Sequence, residues 1–117
     1  MKFVLLIYRL APPELELPRE ADRAALARHR KLQKAANERH ELEAVARLDD
    51  ARKARTVRKQ SGAHSATDGP FPETKEWLVG FYLLDCDNIA EAERQAASIA
   101  DEHHAVEVRP ATWTRAS

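Results

Sequence analysis

Four side chains carry the chain's most usable chemistry: His29, Asp68, Tyr8 and Arg109. An imidazole beside a carboxylate is a general acid–base pair whose proton affinity falls near working pH. His29 and Asp68 are the candidates for that catalytic pair, His29 as base and Asp68 as the group that orients it. His29 sits in a stripe of Ala25, Leu32 and Ala36 at helical spacing, so it faces the interior rather than water. The plain alternatives are a packed histidine bonded to a backbone carbonyl and an aspartate that holds the turn at Gly69 and Pro70. Tyr8 and Arg109 are the candidates for substrate binding. They end two apolar strands, where a guanidinium can hold a carboxylate through two parallel hydrogen bonds. The alternative there is a surface arginine beside a packed tyrosine.

Other chemistries find less support. His103 and His104 are adjacent, and neighbours on a strand point to opposite faces, so they make a poor chelate. His40 and His64 have no ligand at helical spacing, and no metal or other cofactor is expected. Three glycines in the whole chain leave no phosphate-cradling loop. The single cysteine, Cys86, cannot form an intrachain disulfide, which fits a reducing cytoplasm. Asp85 and Asp87 flank it and disfavour a reactive thiolate.

The elements that must position these residues are legible from periodicity. Phe3–Tyr8 and Trp77–Leu84 are apolar on both alternating faces and read as central strands. Arg9–Pro18 contains Pro12, Pro13 and Pro18 and reads as a loop. Arg19–Glu38 lacks Gly and Pro and is rich in Ala, Leu and Arg, which predicts a helix. Glu41–Leu48 reads as a strand, Asp49–Lys53 as a turn, and Ala54–Gln60 with Ala63–Asp68 as a hairpin about Ser61-Gly62. Asn88, with Glu91 three residues on, predicts the start of a second helix whose inner face is Ile89, Ala92, Ala96 and Ile99. Ala105–Arg109 is the last strand, Val106 and Val108 inside, Glu107 and Arg109 outside, with Pro110 as its stop. The order predicts one α+β domain over residues 1–117, a ferredoxin-like split βαβ with an inserted β-hairpin. Two helices cover one face of such a sheet. The other apolar face needs a partner, and a second copy of the chain is the simplest, so a homodimer is expected.

The chain has 19 basic and 19 acidic residues and no net formal charge, which gives no field to steer nucleic acid, and no nucleic-acid partner is expected. The basic run Arg52, Lys53, Arg55, Arg58 and Lys59 is either a solvated hairpin or a docking patch. Phe3–Tyr8 is too short to span a membrane or form a signal segment, so a cytoplasmic protein is expected.

The stretch Asp68–Glu76 reads DGPFPETKE and runs directly into the longest apolar strand. With Met1–Tyr8 and Val106–Pro110, it resembles the DGPF branch of the YCII-related family, with Pro72 where that motif usually has Ala. The resemblance implies a dimeric α+β barrel. It implies a histidine on the first helix, which His29 matches by location, and in some relatives a His–Asp pair. It also implies two functions: a cofactor-independent small-molecule enzyme of isomerase or lyase type, or a non-catalytic binding or regulatory module linked to extracytoplasmic-function sigma factors.

Overall fold

In the computed structural model, which describes residues 1–115, four strands form one antiparallel sheet. β1 is Lys2–Arg9, β2 Leu42–Arg47, β5 Trp77–Asp85 and β6 His104–Pro110, in the order β2-β5-β1-β6. β1 and β5, the two strands apolar on both faces, take the centre. Helices α1, Arg19–Glu38, and α2, Ile89–Ala97, complete the ferredoxin-like α+β arrangement. β3, Arg55–Gln60, and β4, Ala63–Asp68, pair only with each other, as a separate two-stranded hairpin. Ser61 and Gly62 both have positive φ, 50° and 80°. That pattern belongs to the primed turns whose twist matches a hairpin.

The alternation within β1 divides the sheet's two faces. Phe3, Leu5 and Ile7 are buried, while Val4, Leu6 and Tyr8 are only partly so. The buried set joins Tyr82 and Leu84 of β5, Leu32 and Ala36 of α1, and Ala92, Ala96 and Ile99 around α2 in one core. Val106 and Val108 pack against it, as their alternation predicts. Ile89 departs from the expected inner face of α2 and is 45% exposed. It is the first residue after the Asn88 cap, whose side chain accepts the Glu91 amide at 2.9 Å, and this position precedes the turn that meets the sheet.

Val4 and Leu6 of β1, Phe81 and Leu83 of β5, and Ala44 and Ala46 of β2 form the opposite face and stay partly exposed. No helix among the described residues is long and apolar enough to cross a membrane.

Two irregularities shape the functional end of the sheet. The β1–β5 register slips between Ile7, opposite Gly80, and Tyr8, opposite Leu78. Such a bulge re-aims the residues beside it. The hairpin is tied down at its base: the Gly69 amide donates to Ala54 O at 2.6 Å and Thr56 Oγ1 to Gly69 O at 2.7 Å. Gly69 has φ of 89°, a conformation that needs a residue without Cβ.

Candidate functional site

His29 lies on α1 against the covered face of the sheet, half-buried, as its stripe predicts. Its partner is Tyr82, not Asp68. Tyr82 Oη is 2.7 Å from His29 Nδ1, and the two rings stack nearly parallel, 6° apart in plane. Gln33, one turn along α1, donates from Nε2 to the same hydroxyl at 3.0 Å. The hydroxyl donates to Nδ1 when the imidazole proton is on Nε2 and accepts from Nδ1 in the other tautomer. In either case Tyr82 holds Nδ1 and leaves Nε2 as the ring nitrogen for other partners.

Asp68 is placed elsewhere. It ends β4, opposite Arg55 in the hairpin register, and its exposed carboxylate accepts from Arg55 Nη1 at 2.5 Å. Within one chain His29 and Asp68 share no hydrogen bond, so the expected intrachain pair is not made. The reason is topological: the hairpin forms its own sheet and carries Asp68 with it, while α1 packs on the main sheet.

The proton affinity of His29 is lowered, first by burial, then by the charges of His104 and Arg28; Asp101 opposes them and Arg47 adds to them. The unfolded imidazole, near pH 6.5, therefore takes up protons before the folded one does. His29 contributes stability above that pH, and the contribution is lost as the pH falls toward the folded value. In an NMR titration His29 should titrate below a free imidazole, with an unchanged curve in Asp68→Asn. An upward shift that Asp68→Asn abolishes would contradict this placement.

A second imidazole has the carboxylate that His29 lacks. His104 Nδ1 is 3.1 Å from Asp101 Oδ1, and Asp101 also accepts from the His103 amide at 2.8 Å and from Arg28 Nη2 at 2.5 Å. Burial pushes the Asp101 carboxyl up, but the His103 amide, then His104 and Arg28, hold it below the usual range. Tyr82, Gln33 and Asp101 are not singled out by the sequence, and His104 only as half of a poor chelate. The signal available was the three-residue spacing of Asp101 and His104 across the start of the last strand.

Tyr8 and Arg109 lie on the open face, four residues apart in register, and each bonds Glu107 rather than the other. Tyr8 Oη is 3.4 Å from Glu107 Oε1, and Arg109 donates to Glu107 Oε2 from Nε at 2.9 Å and again from Nη2. Burial and the Glu107 carboxylate raise the Tyr8 hydroxyl's proton affinity, so it stays a donor. The Arg109 guanidinium is engaged with Glu107 and is not an open carboxylate clamp.

Tyr8 also lines a hollow of about 580 Å³. Its walls come from the bulged end of β5, Trp77 and Leu78, from Leu48–Ala51, Lys53 and Ala54, and from Pro70, Phe71, Thr74 and Glu76 of the motif stretch. A neighbouring groove of about 510 Å³ shares Tyr8 and Glu76 and adds Lys75 and Glu107. The volume suits a small ligand. Phe71 is held under the Arg58 guanidinium, 4.8 Å from ring centroid to Cζ. The rim carboxylates are Asp49, Asp50 and Glu76. Lys53 pairs with Asp49 at 3.1 Å and Arg52 with Asp50 through Nε and Nη2 at 3.0 and 2.8 Å, and Glu76 makes no ion pair among the described residues.

The comparisons with known proteins agree with the motif that lines this hollow. The model of the YCII-related domain matches residues 1–111. The chain belongs to the YCII-related family. It is 44% identical over 69 residues to an uncharacterised protein of Rhizobium meliloti (strain 1021), a match covering 56% of each chain. The chain thus aligns with little more than half the length of that curated relative.

Proposed function

We propose that this YCII-related domain binds a small ring-bearing molecule in the hollow beside Tyr8. The observation that carries this reading is the hollow's lining: Pro70, Phe71, Thr74 and Glu76 of the motif stretch converge there with Tyr8 and Trp77. Aromatic walls supply the apolar contact, and the few polar groups set orientation. Glu76, the rim carboxylate without an ion pair among the described residues, and the occupied Arg109 disfavour a carboxylate ligand and favour a neutral or cationic one carrying hydroxyl or amine donors. In a thermal-shift screen, phenols and aromatic amines should raise the melting temperature more than aromatic carboxylates of similar size. Tyr8→Phe should weaken the best binder about tenfold, the worth of one hydrogen bond near the upper end of the neutral range. Carboxylates as the strongest stabilisers, or an unaffected Tyr8→Phe, would contradict the reading.

A second copy of the chain laid on the open face would cover Val4, Leu6, Phe81 and Leu83 and close the hollow from above. Those partly exposed side chains support a homodimer, the arrangement of a dimeric α+β barrel. Light scattering should give a dimer mass at micromolar concentration, and a monomer mass throughout the range would contradict it.

Proton-transfer chemistry at His29 is the second reading, favoured by a half-buried neutral imidazole oriented by Tyr82. In that reading His29 acts through Nε2, its Nδ1 held by Tyr82, without Asp68 of the same chain. A purely binding role instead suits the sensing function implied by the resemblance to proteins linked with sigma factors.

A further inference from the structure

The charges around the Tyr8 hollow do not all cancel within the protein. Asp49 pairs with Lys53 at 3.1 Å, Asp50 with Arg52 at 2.8 Å, and Glu107 with Arg109. Two other charges remain. Glu76 lines both the hollow and the neighbouring groove, and Lys75 lines the groove alone. Neither makes an ion pair or a side-chain hydrogen bond among the described residues. The two are consecutive in sequence and opposite in sign. Where hollow and groove meet, the protein therefore offers one carboxylate and one ammonium, both unclaimed.

Tyr8 lines both spaces as well. Its hydroxyl directs its proton to Glu107 Oε1 at 3.4 Å. A hydroxyl that donates on one side offers its lone pairs on the other, so the group it receives must carry an N–H or O–H. The charge of Glu76 reaches Tyr8 and favours a positive donor there. The passage from hollow to groove has a simple cause. Ala105 of β6 is the register partner of Tyr8, and Glu107, two residues on, shares its face. A methyl group opposite the tyrosine leaves space that a larger side chain fills.

We propose that the ligand is a zwitterion, an aromatic α-amino acid or a derivative that keeps both charges. Its ring lies in the hollow against Phe71 and Trp77. Its ammonium lies at the junction, donating to Tyr8 Oη and facing Glu76. Its carboxylate extends into the groove toward Lys75. This rests on the ring-binding reading of the hollow and adds the two charged ends. An α-amino acid suits the layout because it carries both charges on one carbon, as the protein presents both on consecutive residues. An amine alone leaves Lys75 unanswered. A carboxylate alone meets Glu76 at the junction before it reaches Lys75.

The test is an NMR titration with phenylalanine, phenethylamine and 3-phenylpropionate at constant ionic strength, read at the Trp77 indole N–H. The three share a ring and a chain length and differ only in charge. Phenylalanine should bind about fivefold tighter than phenethylamine, the upper end for one exposed ion pair, and phenylpropionate should bind weakest. Lys75→Gln should bring phenylalanine down to phenethylamine or below it. Glu76→Gln should weaken both by about fivefold. Both side chains are exposed, so the variants should melt with the parent. Lys34→Gln, on α1 and paired with Glu38, should bind all three like the parent. Phenylalanine no tighter than phenethylamine, or an advantage that survives Lys75→Gln, would overturn the zwitterion and leave the ring site standing. A Trp77 signal moved by none of the three and by no phenol would overturn the ring-binding reading, and the zwitterion with it.

Discussion

Replacing Tyr82 by alanine should cost about 3–5 kcal/mol, the range for deleting a buried aromatic ring. Against the ~5–15 kcal/mol that holds a domain together, that is a third or more of the total. Tyr82 is 1% exposed and stands at the centre of the core, opposite Leu5 in the sheet. The alanine leaves a cavity between β5 and α1 and strips both His29 and Gln33 of their partner. Tyr82→Phe separates the two losses. It keeps the ring and should cost about 1–3 kcal/mol, the penalty for leaving buried polar groups unsatisfied. Denaturant unfolding of both variants checks the order. A Tyr82→Phe variant as stable as the parent would mean that the hydroxyl's bonds to His29 and Gln33 contribute nothing.

The second large effect is expected at Gly80. A Cβ there would lie 2.7 Å from Ala46 O, the backbone of the neighbouring strand β2. Backbone cannot swing aside as a side chain can. β2 is an edge strand held to the sheet through β5 alone, so it must move outward or lose its pairing. Gly80→Val should therefore cost about 1–3 kcal/mol, as for overpacking in a filled interior. Hydrogen exchange should show the loss concentrated in the amides of β2, with β6 protected as before. A Gly80→Val protein of parental stability and exchange would show that β2 has room to yield.

These two residues mark the boundary of what the sequence discloses. The strands and α1 follow from apolar runs and composition, and α1 spans Arg19–Glu38 in both readings. Alternation also places Val106 and Val108 on the inner face. The fold order follows, since a helix between two strands with a third inserted leaves few arrangements. The site was harder to read for a definite reason. His29's direction is a property of one helix and is visible in its periodicity. Its partner is a property of tertiary packing. Asp68 is 39 residues away along the chain and Tyr82 is 53, and both lie near an apolar strand. Only the hairpin's separation from the main sheet decides between them, and strand patterns do not encode which sheet a strand joins. The Tyr8–Arg109 relation does not follow from both being strand ends: β1 and β6 run antiparallel, so Tyr8 lies opposite Ala105 and Arg109 opposite Val4, and the Glu107 side chain spans the gap. Glu107 was readable as an outward residue, but its capture of Arg109 depends on a rotamer, not on a pattern.

The hollow depends on the same separation. With the hairpin in its own sheet, the DGPFPETKE turn crosses back to β5 and brings Phe71 and Thr74 over Tyr8 and Trp77. The bulge opposite Ile7–Tyr8 helps to aim Leu78 and Trp77 into that space.

The ligand-binding reading is tested most directly by the Trp77 indole N–H signal. Trp77 lines the hollow, while the other tryptophan, Trp113, is 77% exposed and outside it. A phenol or aromatic amine chosen for the largest rise in melting temperature is titrated into labelled protein. The account predicts a saturating shift of the Trp77 indole together with the Tyr8 and Phe71 ring signals, with Trp113 and His29 unmoved. Saturation at His29 and Tyr82 with Trp77 unmoved would contradict it and move the ligand to the other face of the sheet.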